Sequence, residues 1–204
     1  MLFQTKDTKS PPVAPDTSVT STTSDKNKES ASSALRTSYA LKTKRLSLSA
    51  ILAAMAMILS YIEALIPMPV PVPGIKLGLA NLIVIIAIYK LGFKYAFVIN
   101  CVRIFTAGLL FTGVFGVIYS MAGGILSIIV MYGLYKTGIF SMVGISMAGG
   151  VAHNFGQLVT ACIIMSNIKL MSYFSILLFA GMISGILIGI VAYMVIGKLP
   201  HLKI

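Results

Sequence analysis

A few polar and charged side chains lie within a long apolar stretch, residues 46–204. Glu63 is the only acid there, and an ionisable group at membrane depth costs several kcal/mol unless it is paired or hydrated. Such groups are therefore candidates for a binding site. The eight candidates are Glu63, Lys76, Asn81, Arg103, Ser120, His153, Asn154 and Gln157. Basic side chains around one carboxylate favour a small anionic or zwitterionic ligand.

The apolar segment Phe140–Met165 carries polar and small residues on one helical face. Ser146, Gly150, His153 and Gln157 are spaced 4, 3 and 4 residues apart, and Asn154 lies beside them. Residues at this spacing lie on one side of a helix. We expect this face to meet the other polar groups in the half of the bundle that is distant from the cytoplasm.

Each candidate also has a purely structural interpretation. Glu63 could contact a ligand, or it could only neutralise Arg103 or Lys76 within the bundle. His153 could be a packing residue rather than a ligand-binding group or proton carrier. Lys76, at a helix end, could extend to the membrane surface. The shared depth of these residues, rather than any single one, favours a binding site.

The composition excludes an ordinary soluble protein. Of the residues, 57% are hydrophobic and 10% charged, and the net charge is +11. The basic residues of the apolar stretch lie mainly in short breaks between apolar segments rather than on one basic face, so we expect no nucleic-acid partner. Cys101 and Cys162 lie in separate apolar segments without metal-ligand spacing. We therefore expect neither a metal nor a cofactor.

The apolar stretch divides into six segments that predict membrane-spanning helices. They are Leu46–Ile66, Leu77–Tyr89, Tyr95–Phe111, Val114–Tyr135, Phe140–Met165 and Tyr173–Ile196. The second is short by itself, and a proline-rich connection separates it from the first. The sequence therefore predicts an all-α integral membrane protein with a bundle of six transmembrane helices.

The basic residues predict the orientation of this bundle. One set of alternate loops and ends carries Lys42, Lys44, Arg45, Lys90, Lys94, Lys136, Lys198 and Lys203, whereas the other carries only Lys76 and Lys169. Cytoplasmic loops are enriched in Lys and Arg. We therefore expect both termini in the cytoplasm, and a multi-pass protein of the cell membrane in contact with lipid.

Residues 1–45 differ from the rest in composition. They are rich in Ser, Thr, Lys and Pro and have few large apolar residues. Such a segment buries too little apolar surface to offset its ordering entropy. We predict a disordered polar cytoplasmic tail over 1–45 and a transmembrane domain over 46–204.

Three strings resemble the Gx transporter family, whose members are commonly labelled heptaprenyl diphosphate synthase component I. They are PGIKLGLANL (73–82), SMAGGILSIIVM (120–131) and GISMAGGVAHNFGQL (144–158). That family is grouped with the substrate-binding S-components of energy-coupling-factor (ECF) transporters. The resemblance implies a six-helix fold of that type, which binds a small molecule from outside.

The resemblance also implies partners. In S-components, a small-residue face of the first helix docks a transmembrane coupling protein, which is carried on two ATPases. Ser49, Ala50, Ala53 and Ala54 match that type of face in position. Packing within the bundle is the alternative for these residues.

Two hypotheses for function follow from these observations. The first is a substrate-binding component of an ECF-type transporter. It agrees with the absence of a GxxxxGK[ST] phosphate-binding loop, since partners would then hydrolyse ATP. The second is a membrane accessory subunit of a heptaprenyl diphosphate synthase. Prenyl transfer needs clustered carboxylates to hold Mg²⁺ on a diphosphate, yet the chain has no DDxxD and its aspartates all lie in the tail. We therefore expect no catalytic residues.

Overall fold

The computed structural model describes residues 18–66 and 78–198, and this part of the chain consists of helices joined by short connections, without a β-strand. The helices are α1 (Ser18–Leu65), α2 (Leu79–Lys90), α3 (Phe93–Phe111), α4 (Gly113–Thr137), α5 (Met142–Ile164) and α6 (Phe174–Lys198). A short 3-10 helix, Ile168–Tyr173, precedes α6. The all-α prediction is confirmed.

Within residues 18–66 and 78–198, five helical stretches are long and apolar enough to cross a membrane. They are residues Ser30–Leu65 of α1, then α3, α4, α5, and the 3-10 helix together with α6. Helix α2 has 12 residues and is therefore about 18 Å long, less than the hydrocarbon core of about 30 Å. The fold is that of a multi-pass membrane protein, in which the predicted second span is a shorter apolar helix.

Helix α1 begins within the segment that the composition predicts to be a disordered tail. It starts at Ser18, since extending a helix that has already formed needs no new nucleation. Residues 30–44 are exposed, as their polar composition leads one to expect. The chain divides into two compact units, Met1–Lys42 and Thr43–Ile204. Residues 1–17 lie outside the described residues, so their disorder stays a prediction.

The core of the second unit is built around α2. Its run Ile83–Ile88 is buried, and α2 contacts α3, α4, α5 and α6. Leu52 and Ala56 of α1 belong to the same hydrophobic core. A helix that is apolar on every side is stable where other elements cover it. Helix α2 is therefore an internal element, and its N-terminus lies within the bundle.

Glycines allow α6 to approach α5 closely. A Cβ atom at Gly185 would lie 2.5 Å from Cα of Met147, and one at Gly189 would lie 2.7 Å from Cα of Val143. Small residues at a helix interface let two backbones approach each other in this way. The close contact fixes the face of α5 that carries His153 and Asn154.

Candidate functional site

A cavity of about 360 Å³, called here the charged cavity, lies between α1, α3 and α4. Its polar side chains are those of Ser60, Glu63, Arg103, Thr112 and Ser120, together with the hydroxyl of Tyr61. Apolar residues, among them Leu65, Ile104 and Phe111, complete its walls. The cavity therefore combines one acid and one base with hydroxyl groups and an apolar lining, as small-molecule sites commonly do.

A second space of about 30 Å³, called here the small chamber, lies next to it. Glu63 and Arg103 line both spaces. The other residues of the small chamber are Gly78, Asn81, Gly150, His153, Asn154 and Ser184. This volume is large enough for a water molecule, which needs about 10–15 Å³ of such space. The two charged side chains thus separate a ligand-sized cavity from a small polar chamber.

Glu63 is held at the N-terminus of α2. Its Oε1 accepts a hydrogen bond of 2.7 Å from the backbone N–H of Gly78, the residue that caps α2 with a φ of 72°. Left-handed backbone favours glycine at this position. The positive end of the helix dipole stabilises a carboxylate there. Glu63 therefore links the end of α1 to the start of α2.

Arg103 is positioned by a neighbour on its own helix. Its Nη2 donates a hydrogen bond of 2.8 Å to Oδ1 of Asn100, and Nδ2 of Asn100 donates one of 3.0 Å to the carbonyl oxygen of Gly124. The Nε of Arg103 is buried and has no hydrogen-bond partner among the described residues. No ion pair between Glu63 and Arg103 is found in the described part of the chain. Arg103 is thus oriented by a neutral amide, while Glu63 lies close enough to attract its charge without forming an ion pair.

The polar residues of α5 are divided between its two neighbouring helices. Nδ2 of Asn154 donates a hydrogen bond of 2.8 Å to the carbonyl oxygen of Leu177 in α6. Gln157 is fully buried, and its Cγ would lie 2.7 Å from a Cβ at Gly123 in α4. Gln157 lines neither cavity. The helical face predicted for α5 therefore contributes only part of its polar residues to the site.

Most of the eight predicted residues meet in one region of the structure. Glu63, Arg103 and Ser120 line the charged cavity, and Asn81, His153 and Asn154 join the two charged residues at the small chamber. Gln157 lies outside both spaces. Lys76 is outside the described residues, so its place at the site stays a prediction.

Several residues at the site are absent from the sequence-based prediction. Asn100 lies three positions before Arg103, so helical spacing could have identified it as a partner. Ser60 and Tyr61 precede Glu63 by three and two positions, and the same periodicity would have included Ser60. Ser184 carries no such signal, because it reaches the small chamber only through the packing of α6 on α5.

The small residues on the predicted docking face of α1 differ in exposure. Ala50 and Ala54 are exposed. Ala53 packs against the hydrophobic core, and Oγ of the half-buried Ser49 donates a hydrogen bond of 2.7 Å to the carbonyl oxygen of Leu46. Only Ala50 and Ala54 therefore leave space for another helix, while Ala53 serves packing within the unit.

The described residues contain no group of three or more His, Cys, Asp or Glu side chains that could hold a metal ion. The polar groups that line the two cavities are instead one guanidinium, one carboxylate, one imidazole, amides and hydroxyls. Such a set of donors and acceptors suits binding of an organic ligand through hydrogen bonds and charge.

The helices and the charged cavity define a multi-pass membrane protein with a polar cavity between its helices. A family model described as heptaprenyl diphosphate synthase component I matches residues 52–195, and the chain belongs to this family. The match covers α2 to α5 completely and most of α6. No curated protein and no solved structure matches the chain.

Proposed function

We propose that the chain is a non-catalytic, substrate-binding membrane subunit of an ECF-type transporter, which captures a small anionic or zwitterionic molecule from outside. The observation that supports this proposal most directly is the location and hydrogen bonding of the Arg103 side chain. Its guanidinium borders both cavities and is hydrogen-bonded to an uncharged amide. Arg103 is half-buried, and a cation withdrawn from water is more stable when it is paired. An anionic ligand in the charged cavity would supply the direct ion pair that Glu63, which attracts Arg103 only at a distance, does not form.

The proposal includes an orientation for the bundle. Lys90, Lys136 and Lys198 lie at the C-terminal ends of α2, α4 and α6. If α2 and the connection before it complete a sixth span, these three ends share one side of the membrane. The positive-inside rule then favours the cytoplasm for that side and for both termini. The end of α1 that carries Glu63 would face outward, as capture from outside requires.

The proposal also requires partners, since the sequence has no ATP-binding loop. A transmembrane coupling protein and two ATPases would supply the energy. The exposed Ala50 and Ala54 are the part of α1 that suits close approach of another membrane helix. Transport would then proceed by capture in the charged cavity and reorientation of the subunit against its partner.

The family description supports a second candidate, a non-catalytic accessory subunit of a heptaprenyl diphosphate synthase. The side chains at the site argue against catalysis by this chain itself. Glu63 is the only acid after residue 45, and its Oε1 already accepts a hydrogen bond from Gly78 at the N-terminus of α2. One carboxylate cannot supply the cluster that holds Mg²⁺ on a diphosphate. In this role the chain would present a prenyl substrate or product to a catalytic partner.

Co-purification separates the two candidates. The tagged chain is isolated from cell membranes in mild detergent, and its partners are identified by mass spectrometry. The coupling protein and ATPases are expected, and Ala54→Leu is expected to release them. Val102→Leu, at an exposed position of α3, is the matched control. A stable complex with a prenyl diphosphate synthase whose activity it raises would contradict the transport proposal and favour the second candidate.

A further inference from the structure

An apolar groove of about 270 Å³ lies between α1 and α3. Its residues are Met57, Ile58, Tyr61, Ala107, Leu110 and Phe111. Three of them, Tyr61, Ala107 and Phe111, also line the charged cavity. The two spaces are therefore neighbours that share a wall, one of them charged and the other entirely apolar apart from the Tyr61 hydroxyl.

Two aromatic rings form the shared wall. The ring centroids of Tyr61 and Phe111 are 5.6 Å apart, and the ring planes are inclined at 38°. Both side chains are substantially exposed, as are Ile58 and Leu110 next to them. On a membrane-spanning helix, exposed apolar side chains face lipid hydrocarbon. The groove is thus open to the bilayer, and the Tyr61 and Phe111 side chains lie between it and the charged cavity.

We propose that the ligand of this site is a single-chain anionic amphiphile that enters from the outer leaflet of the bilayer, between α1 and α3. This inference rests on the proposed function and names its substrate class. The anionic head, a carboxylate or a phosphate monoester, binds Arg103 in the charged cavity. The hydrocarbon chain passes the Tyr61 and Phe111 rings and lies in the apolar groove.

The charges of the described lining residues favour a compact head group. Arg103 and Glu63 are the charged side chains among those residues. Arg103 supplies one positive charge for the head group, whereas Glu63 repels any further negative charge on it. A guanidinium pairs well with a single carboxylate or phosphate group. A diphosphate, with its greater charge, would need cations beyond those of the described lining residues.

Fluorescence quenching tests this inference, because the chain contains no tryptophan. Leu110→Trp places a reporter in the groove, at a side chain that is 66% exposed. Phe179→Trp on α6, at 61% exposure, reports only on lipid partitioning. Both variants are placed in phosphatidylcholine nanodiscs. The probes are a terminally brominated dodecanoate, the corresponding brominated dodecanol, and brominated butyrate.

Brominated dodecanoate is expected to quench the Leu110→Trp reporter at a concentration about tenfold lower than the Phe179→Trp reporter, given the strength of a charge-assisted hydrogen bond. When Arg103→Gln is added to each reporter variant, brominated dodecanoate is expected to quench both reporters at the same concentration. Brominated dodecanol is expected to quench both equally. Unbrominated dodecyl phosphate should compete with the brominated acid, since both heads suit Arg103.

Equal quenching of the two reporters by brominated dodecanoate would overturn the inference. An Arg103-dependent signal from brominated butyrate that is as strong as that from the long acid would also overturn it, because the chain would then be irrelevant. That second result would retain capture of a soluble anion, so the proposed function would stand. If the quenching by brominated dodecanoate and by brominated butyrate both persist in Arg103→Gln, Arg103 does not belong to the site. That result would contradict this inference and the proposed function.

Discussion

Replacement of Gly185 by alanine tests the packing that positions the small chamber. The added Cβ would lie 2.5 Å from Cα of Met147 and 2.8 Å from the carbonyl oxygen of Ser146. These are backbone atoms, so no side-chain rotation relieves the contact. Carbon atoms at van der Waals contact are about 3.5–4.0 Å apart. Helices α5 and α6 must therefore separate by about 1 Å.

The magnitude follows from this displacement. A gap of about 0.5–1 Å forfeits a quarter to a half of the dispersion energy at the interface. It also stretches the 2.8 Å bond from Asn154 to the carbonyl oxygen of Leu177, which is worth about 0.6 kcal/mol in a membrane. Overpacking costs about 1–3 kcal/mol, and alanine regains up to about 1 kcal/mol of helix propensity. We expect a net loss of about 1–2 kcal/mol.

The assay is the free energy of unfolding, measured by SDS titration in mixed micelles. Gly133→Ala is the matched control, since a Cβ at this exposed position in α4 would meet no atom within 4 Å. It is expected to be neutral or slightly stabilising. Equal unfolding free energies for Gly185→Ala and Gly133→Ala would refute the close packing of α5 on α6.

Three further predictions concern the site and its partner surface. Asn100→Ala is expected to lower anion affinity about tenfold while Arg103 remains, measured by calorimetry with decanoate; unchanged affinity would show that Asn100 does not orient Arg103. Glu63→Gln is expected to destabilise the protein by about 0.5–1 kcal/mol through loss of charge at the α2 N-terminus, measured by SDS titration. Ala50→Leu is expected to weaken co-purification of the coupling protein, and wild-type recovery would contradict docking there.

The control for Glu63→Gln is Ser60→Ala, one turn earlier on the same helix. The Oγ of Ser60 donates a hydrogen bond to the carbonyl oxygen of Ala56 within α1, and its removal leaves the start of α2 untouched. If Glu63→Gln and Ser60→Ala change the free energy of unfolding equally, Glu63 does not stabilise the N-terminus of α2 through its charge.

The sequence predicts the helical class well, because apolar length alone identifies a membrane-spanning helix. It predicts α2 less well. The run Ile83–Ile88 is apolar on every side and short, so its role depends on the helices that cover it. Helix α1 begins at Ser18, and composition does not report how far an existing helix extends, so the disordered tail over 1–45 stays a prediction.

For the candidate site, the sequence identifies residue types better than their contacts. Glu63 and Arg103 stand out in the sequence as unusual charges, and both border the two cavities. The bond from Gly78 to Glu63 joins residues 15 positions apart, so tertiary packing rather than spacing creates it. Asn100 is detectable from its helical spacing to Arg103, whereas Ser184 depends on how α6 packs against α5.

The central claim is that Arg103 binds an anionic ligand, and native mass spectrometry of the purified protein tests it most directly. The wild-type chain and Lys136→Gln, a control at the end of α4, are expected to retain a bound anionic molecule, whereas Arg103→Gln is expected to lose it while remaining folded. The same bound molecule on Arg103→Gln, or none on any of the three proteins, would contradict the claim.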